Sequence, residues 1–390
     1  MIEHDAVNLS DLDGAIAVPR SRRDFLARAS ALTLAIPGIG AALTACSPSG
    51  GANDSTAAGR TDAASSSSAA PATTQGGAPR THNSDSRLDS AVLKREHRVG
   101  TSATGGANAA DVPFHRWAPE LPPLPAGGTQ RLNWHAREAP VRIDDGTVVA
   151  AWTFEGDTPG PIVHTRVGDT VEFTLTNDVD IPHSMDFHAA QIDPKVAFRS
   201  VTKGQSITFT FKPKFAGAFM YHCGTAPVLM HIGSGMYGAI VVSPREPLPA
   251  AREFVLVQSE YYLAAAANGM RAFDYQKMLT TAPELVTFNG RPNQYVKEPL
   301  RVKQGERVRF WVVSAGPQHP SNFHVVGEQF DTVYLGAPPG TPIRGVQTWA
   351  VPPGGGMCFE LVCDVKGEFP FVNHGFGHGQ IGAIGILVVE

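Results

Sequence analysis

Met220–Met236, MYHCGTAPVLMHIGSGM, places His222, Cys223, His231 and Met236 within seventeen residues. The order His-Cys-x7-His-x4-Met combines a thiolate, imidazoles and a thioether. That set suits an electron-transfer copper site, because soft sulfur stabilises Cu(I) while imidazole still binds Cu(II). Such a site needs a second imidazole, and His183, on an upstream strand-like segment, is the candidate. His222 is then left over. Neighbouring side chains of an extended strand point to opposite faces, so Cys223 and His222 can serve two different coppers joined by one peptide link. A buried cysteine with incidental histidines does not account for this spacing.

The segment HSMDFH, residues 183–188, repeats the arrangement. His183 and His188 are an odd number of residues apart, so on an extended strand they face opposite ways, while Asp186 shares the face of His188. Each segment thus offers one ligand to the soft copper (His183, Cys223) and one to a second metal (His188, His222). The second metal needs at least one more imidazole, and His374 is the obvious source. A second domain does not easily fold onto both sides of the first. His374 is therefore expected from a neighbouring subunit, which generates a closed ring. Three imidazoles with an open fourth position can bind an exogenous ligand. Asp186 and His324 would flank that position as proton donors, the pair a reductive removal of oxygen requires.

The elements that must position these residues are short strands. The chain has 390 residues, including 40 Gly and 31 Pro, with short, punctuated aromatic and β-branched runs that favour an all-β protein. Residues 141–154 read as a hairpin around Asp145-Gly146. TRVGDTVEFTLTN (165–177) alternates as a strand pair around Gly168-Asp169, and SITFTFK (206–212) and 237–242 are further strands. Such spacing with Gly/Pro turns indicates a Greek-key sandwich, expected to start near Leu132. A net charge of −4 points to neither nucleic acid nor a polybasic membrane patch. Cys46, Cys223, Cys358 and Cys363 are too scattered for a disulfide framework. Cys358 and Cys363 read as buried free thiols on opposite faces of one strand.

Past a Pro-rich joint at 244–249 the pattern recurs, an internal repeat of about one sandwich. VGDTVEFTLTN at 167–177 matches KQGERVRFWVVS at 303–314, and DFH at 186–188 matches NFH at 322–324. YHC at 221–223 is echoed by VNHG at 372–375, and MYGAIVV at 236–242 by QIGAIGILVV at 380–389. His374 thus corresponds to His222. Gly375 stands opposite Cys223 and Gln380 opposite Met236, so the second copy lacks the thiolate–thioether set and should hold no electron-transfer copper.

At the other end, SRRDFL at 21–26 is a twin-arginine pattern, followed by an Ala-, Gly- and Thr-rich run too short to span a membrane, which reads as an export signal. The run ends Leu-Thr-Ala-Cys46, similar to a lipoprotein cleavage box, which makes Cys46 a candidate lipidation site. From Ser47 to about Ala110, Ser, Ala, Thr and Gly dominate, and such a segment cannot offset its ordering entropy by burial. It is expected to be a flexible tether. His82 and His97 within it receive no role.

HSMDFHAA, YHCGTAPVLMHIGSGMYGAI, SNFHVVGE and FVNHG resemble the copper-containing nitrite reductases, a two-domain cupredoxin family, over about residues 130–390. The seven residues between Cys223 and His231 resemble its shorter-loop members. The resemblance implies a homotrimer reducing nitrite to nitric oxide with one electron and two protons. It implies a type 1 copper held by His183, Cys223, His231 and Met236, and a type 2 copper held by His188, His222 and the neighbouring subunit's counterpart of His374. Asp186 and His324 are implied to transfer protons, and Val326 to crowd the substrate. A small cupredoxin or c-type cytochrome would deliver electrons. The expected division is a leader (1–45), a tether (46–128), a first cupredoxin domain (129–247) and a second (248–390), in an exported, lipid-anchored protein. A laccase-type oxidase is the nearest rival, but its trinuclear cluster needs paired His-x-His motifs, absent here. A type 1 electron carrier would leave Asp186, His188, His222, His324 and His374 without common purpose. His115, His135, His164, His319 and His378 lack ligand spacing, and Met230 reads as core.

Overall fold

The computed structural model describes residues 108–390. The twin-arginine leader, Cys46, His82, His97 and most of the tether lie outside the described residues. Among the described residues no helix is long and apolar enough to cross a membrane.

The first part of the chain supplies β1 (Thr129–Arg142), β2 (Val148–Phe154), β3 (Val163–Arg166), β4 (Thr170–Asn177), β5 (Asp186–Phe187), β6 (Ser206–Phe211), β7 (Gly217–His222) and β8 (Tyr237–Ser243). It is followed by β9 (Arg252–Tyr261), β10 (Leu263–Ala267), β11 (Met270–Phe273), β12 (Leu285–Phe288), β13 (Glu298–Val302), β14 (Arg307–Gly316) and β15 (Ser321–Val325). The last strands are β16 (Phe330–Tyr334), β17 (Ile343–Val346), β18 (Thr348–Val351), β19 (Gly356–Val362), β20 (Gly367–Asn373) and β21 (Ile384–Val389). These form two sandwiches: sheets β10-β11-β2-β1-β4-β6 and β3-β8-β7-β5 make one, and sheets β12-β9-β14-β19-β16-β17 and β13-β21-β20-β15-β18 the other. The repeat read from the sequence is a topological one. β3-β8-β7-β5 corresponds to β13-β21-β20-β15, and the parallel pair β1–β4 to the parallel pair β9–β14.

Alternation sets the faces. TVEFTLTN on β4 and SITFTF on β6 bury every second residue, as a sheet with one face on the core requires. β8 is buried at nearly every position because its sheet is covered on both sides, the burial that produces a continuous apolar run. One side is the first sandwich's own core, which holds Tyr221, Cys223, Ile240 and Val242. The other packs on the second sandwich through Ala218, Met220, Ala239 and Val241 against Val255, Val257, Trp311 and Val313. The sheets meet closely enough that a Cβ at Gly356 would stand 2.1 Å from the Ala218 carbonyl oxygen.

Three expectations are corrected. Residues 108–128, assigned to the tether, are ordered, and the folded region begins well before Leu132. Arg142 donates to the Val112 carbonyl (2.6 Å), Trp117 exchanges hydrogen bonds with Gln294 and Tyr295 (2.8 and 3.0 Å), and Val255 N–H donates to Pro119 O (2.6 Å). The apolar side chains the tether lacks, Trp117 and Leu121 among them, are present here, and Leu121 packs between the sandwiches. Next, the strands flanking Gly168-Asp169 do not pair: β3 joins β8 while β4 joins β1 and β6, so this turn carries the chain between sheets. Finally, the β10–β11 hairpin, assigned to the second domain, extends the first sandwich's sheet beside β2. Tyr261, Leu263 and Phe273 bury their rings and side chain in the first core.

The second sandwich contains an ionic ladder. On the central strand β14, fully buried Arg309 contacts Glu360 of β19 (2.6 Å) and Glu253 of β9 (3.0 Å). Removing one partner of a buried pair strands the other's charge. Arg309→Met, which keeps most of the volume, is expected to cost about 3–5 kcal/mol in urea unfolding. Arg309→Met/Glu360→Gln should recover much of it.

Candidate metal centres

Two clusters of ligand-type side chains occur among the described residues: His183, Cys223 and His231, and Asp186, His188 and His222. They lie on opposite faces of the same strand end. β7 alternates Ala218 and Met220 toward the second sandwich and Tyr221 toward the first core, so His222 falls on one side and Cys223 on the other. The segment 183–188 is strand only at Asp186–Phe187, yet His183 and His188 still separate into the two clusters as the parity argument expects.

In the first cluster His183 Nδ1 and His231 Nδ1 are 3.1 Å apart, and Cys223 Sγ lies 3.3 Å from the latter and 3.8 Å from the former. Three donors about 2.0–2.3 Å from one tetrahedral centre stand roughly 3.3–3.7 Å apart, so a metal ion fits. All three residues are fully buried. Burial pushes His231 down to about 3, His183 well below its ordinary value, and the Cys223 thiol up. Neutral imidazoles suit metal ligation, and a bound cation supplies the charge that a buried thiolate otherwise lacks. Met236 is brought alongside by two backbone bonds, Cys223 N–H to Met236 O and Met236 N–H to His231 O, both 3.1 Å. His231 itself sits on α1 (Val228–Gly233).

The sequence did not single out the residues that hold this thiol. Ser184 N–H donates to Cys223 Sγ (3.4 Å), and Ser184 Oγ accepts from Gly224 N–H and Thr225 Oγ1 (both 3.1 Å). Their adjacency to His183 and Cys223 was the available signal. Trp152 sets its ring 4.8 Å from that of His231 and 5.8 Å from that of His183.

In the second cluster His188 Nε2 and His222 Nε2 are 3.0 Å apart, with Asp186 Oδ2 3.8 and 3.5 Å away. Each imidazole is oriented by a carbonyl at its other nitrogen: Gly354 O at His188 Nδ1 and Cys223 O at His222 Nδ1, both 2.9 Å. This leaves Nε2 of each for a ligand, the arrangement that fixes tautomer at metal sites. Gly354 belongs to the second sandwich and has φ +77, a left-handed conformation favouring glycine. Burial raises the Asp186 carboxyl to about 6, against the lowering influence of His188, and pushes His222 down to about 4.

His324 and His374 join neither cluster. They form a separate pair, rings 5.2 Å apart, with His374 also 4.6 Å from the Phe376 ring. His324 Nδ1 is held by Gln347 O, again leaving Nε2 for other work. Val326, two residues on, and Phe376 are both substantially exposed. The Asp186 cluster and the His324–His374 pair are thus separate groups in one chain.

Of the described histidines given no role, four have structural partners: His135 pairs with Asp178, His164 with Pro122 O and Ser243 Oγ, and His319 with Glu260 and the His378 ring; His115 is exposed. Cys358 and Cys363 are free and buried, in the interface and the second core respectively.

The multicopper oxidase family model matches residues 135–247. A copper-containing nitrite reductase of Neisseria meningitidis is 40% identical over 287 residues, covering 70% of this chain and 73% of that protein. Among solved structures, copper nitrite reductase from Nitrosomonas europaea gives a TM-score of 0.63 at 37% identity, covering 67% of this chain and 94% of that one. The Cu-containing nitrite reductase of Thermus scotoductus gives 0.62 at 30% identity, covering 67% and 62%. With two tandem cupredoxin sandwiches and these donor sets, the chain belongs to the copper-containing nitrite reductases.

Proposed function

We propose that the protein reduces nitrite to nitric oxide and water, taking one electron and two protons per turnover, as a homotrimer with composite sites. The observation that carries this is the pair of donor clusters joined by the single peptide link between Cys223 and His222. His183, Cys223, His231 and Met236 would hold type 1 copper. His188 and His222, with His374 of the partner subunit, would hold type 2 copper. When bound, copper supplies a one-electron shuttle at the first cluster and an open Lewis-acid position for the anion at the second.

The chain's own residues do the rest. Burial of the first cluster excludes water from the thiolate, and the Ser184 hydrogen bonds fix its direction. Asp186, its carboxyl raised by burial to about 6, would relay a proton beside the substrate position. His324, oriented by Gln347 O, faces it from the adjoining subunit as the second proton source. Val326 restricts the space left for the anion. A small cupredoxin or c-type cytochrome would donate electrons at the first cluster. The twin-arginine pattern and the Cys46 box support an exported enzyme, lipid-anchored at the periplasmic or extracellular face.

The test uses two variants, each expected to be inactive alone. His188→Ala breaks one half-site and His374→Ala the other. In any mixed cyclic trimer one junction is intact, so equal co-expression should return about a quarter of wild-type nitric oxide release from nitrite with a reduced dye. No recovery in verified mixed trimers would refute the shared site, and a product other than nitric oxide would refute the reaction.

A further inference from the structure

Asp186, His188 and His222 make a three-donor set without help from a second chain. Their separations of 3.0, 3.5 and 3.8 Å bracket the roughly 3.3 Å edge of a tetrahedral site with bonds of about 2.0 Å. Backbone pairing holds the set in place: Asp186 and His222 are register partners on β5 and β7. The Gly354 carbonyl fixes the His188 ring from the second sandwich of the same chain. His374, by contrast, stands exposed on its own chain, packed on His324 and Phe376. Among the described residues it stands outside the Asp186–His188–His222 cluster. The site therefore has a third donor before assembly and a different one afterwards.

We infer that Asp186 is a stand-in ligand: until a neighbouring subunit presents its imidazole, the Asp186 carboxylate completes a two-histidine, one-carboxylate site that retains a divalent cation. The incoming imidazole then displaces it. One metal–oxygen bond breaks, one metal–nitrogen bond forms, no electron moves, and the carboxylate leaves with its charge to stand beside the substrate. Imidazole is the better partner for copper and carboxylate the harder donor, so the exchange runs toward the assembled form. The metal can thus be loaded on the single chain, and assembly converts a structural carboxylate ligand into a free proton-handling group. This rests on the reading of His374 as a ligand supplied in trans.

The test is copper content per chain in full-length protein loaded with Cu(II) and dialysed, with the visible thiolate–copper band as an internal check that each variant is folded. Wild type, Asp186→Ala and His374→Ala are each expected to keep two coppers, because either third donor suffices. Asp186→Ala/His374→Ala should fall to one while keeping the band. The type 2 electron paramagnetic resonance signal of His374→Ala should differ from wild type, reporting oxygen in place of nitrogen. A His374→Ala protein with one copper, beside a wild type with two, overturns the stand-in role while leaving the composite site intact. So does a double variant that keeps both. A wild type with only one copper overturns instead the underlying reading of the second cluster.

Discussion

Replacing Cys223 by alanine is expected to abolish the visible thiolate-to-copper absorption and take nitrite turnover to background, while the protein still folds. The band requires a thiolate, and among the described residues the cluster contains no other sulfur but the thioether of Met236. Cys358 and Cys363 lie elsewhere, in the interface and the second core. The loss of turnover follows from position. In the proposed reaction the electron would pass between the two clusters through the backbone of residues 222 and 223, and without the thiolate it would have no entry there. Folding survives because the substitution removes one atom from a core built from Trp134, Phe154, Phe173, Phe187 and Tyr221. The measurements are an absorption spectrum and steady-state nitrite consumption. A variant that keeps the band would remove Cys223 from the electron-transfer site.

Asp186→Asn is expected to lower the maximal rate by about 10²–10⁴-fold, the usual worth of a positioned acid or base, with both coppers retained. The side chain keeps its size and register beside His222, but an amide cannot deliver a proton. Ordinary exposed carboxyls are almost wholly ionised at neutral pH. Burial raises this one to about 6, closer to the working pH, where a group both takes up and releases a proton readily. The effect should fall mainly on kcat, since the anion keeps its metal position. Kinetics unchanged from wild type, with both metals present, would take Asp186 out of the proton path.

Much of this site was legible because its logic is local. The pairing of a thiolate with an imidazole at adjacent positions, and the parity that sends them to opposite faces, depend only on strand geometry. The echo of DFH in NFH, and of YHC in VNHG, located His324 and His374 by repetition. Alternation in residues 165–177 and 206–212 gave β4 and β6 with their buried faces, because a half-covered sheet imposes a period of two. Donor type was equally readable, since softness and charge belong to the side chain and not to its surroundings.

What only the tertiary structure decided are contacts between segments distant in sequence. The Gly354 carbonyl that orients His188 comes from a loop with no ligand chemistry of its own. The ordered stretch 108–128 reaches Arg142, Gln294 and Val255, and the β10–β11 hairpin crosses back onto the first sandwich. The two strands flanking Gly168-Asp169 separate into different sheets, β3 pairing with β8 and β4 with β1 and β6. None of these leaves a local pattern, because hydrogen bonding by a backbone carbonyl is open to any residue. The chain's own order thus determined which side chains have the chemistry to bind metal, and the tertiary structure decided which of them meet: the donors of both clusters come together within the first sandwich, and the second adds the Gly354 carbonyl.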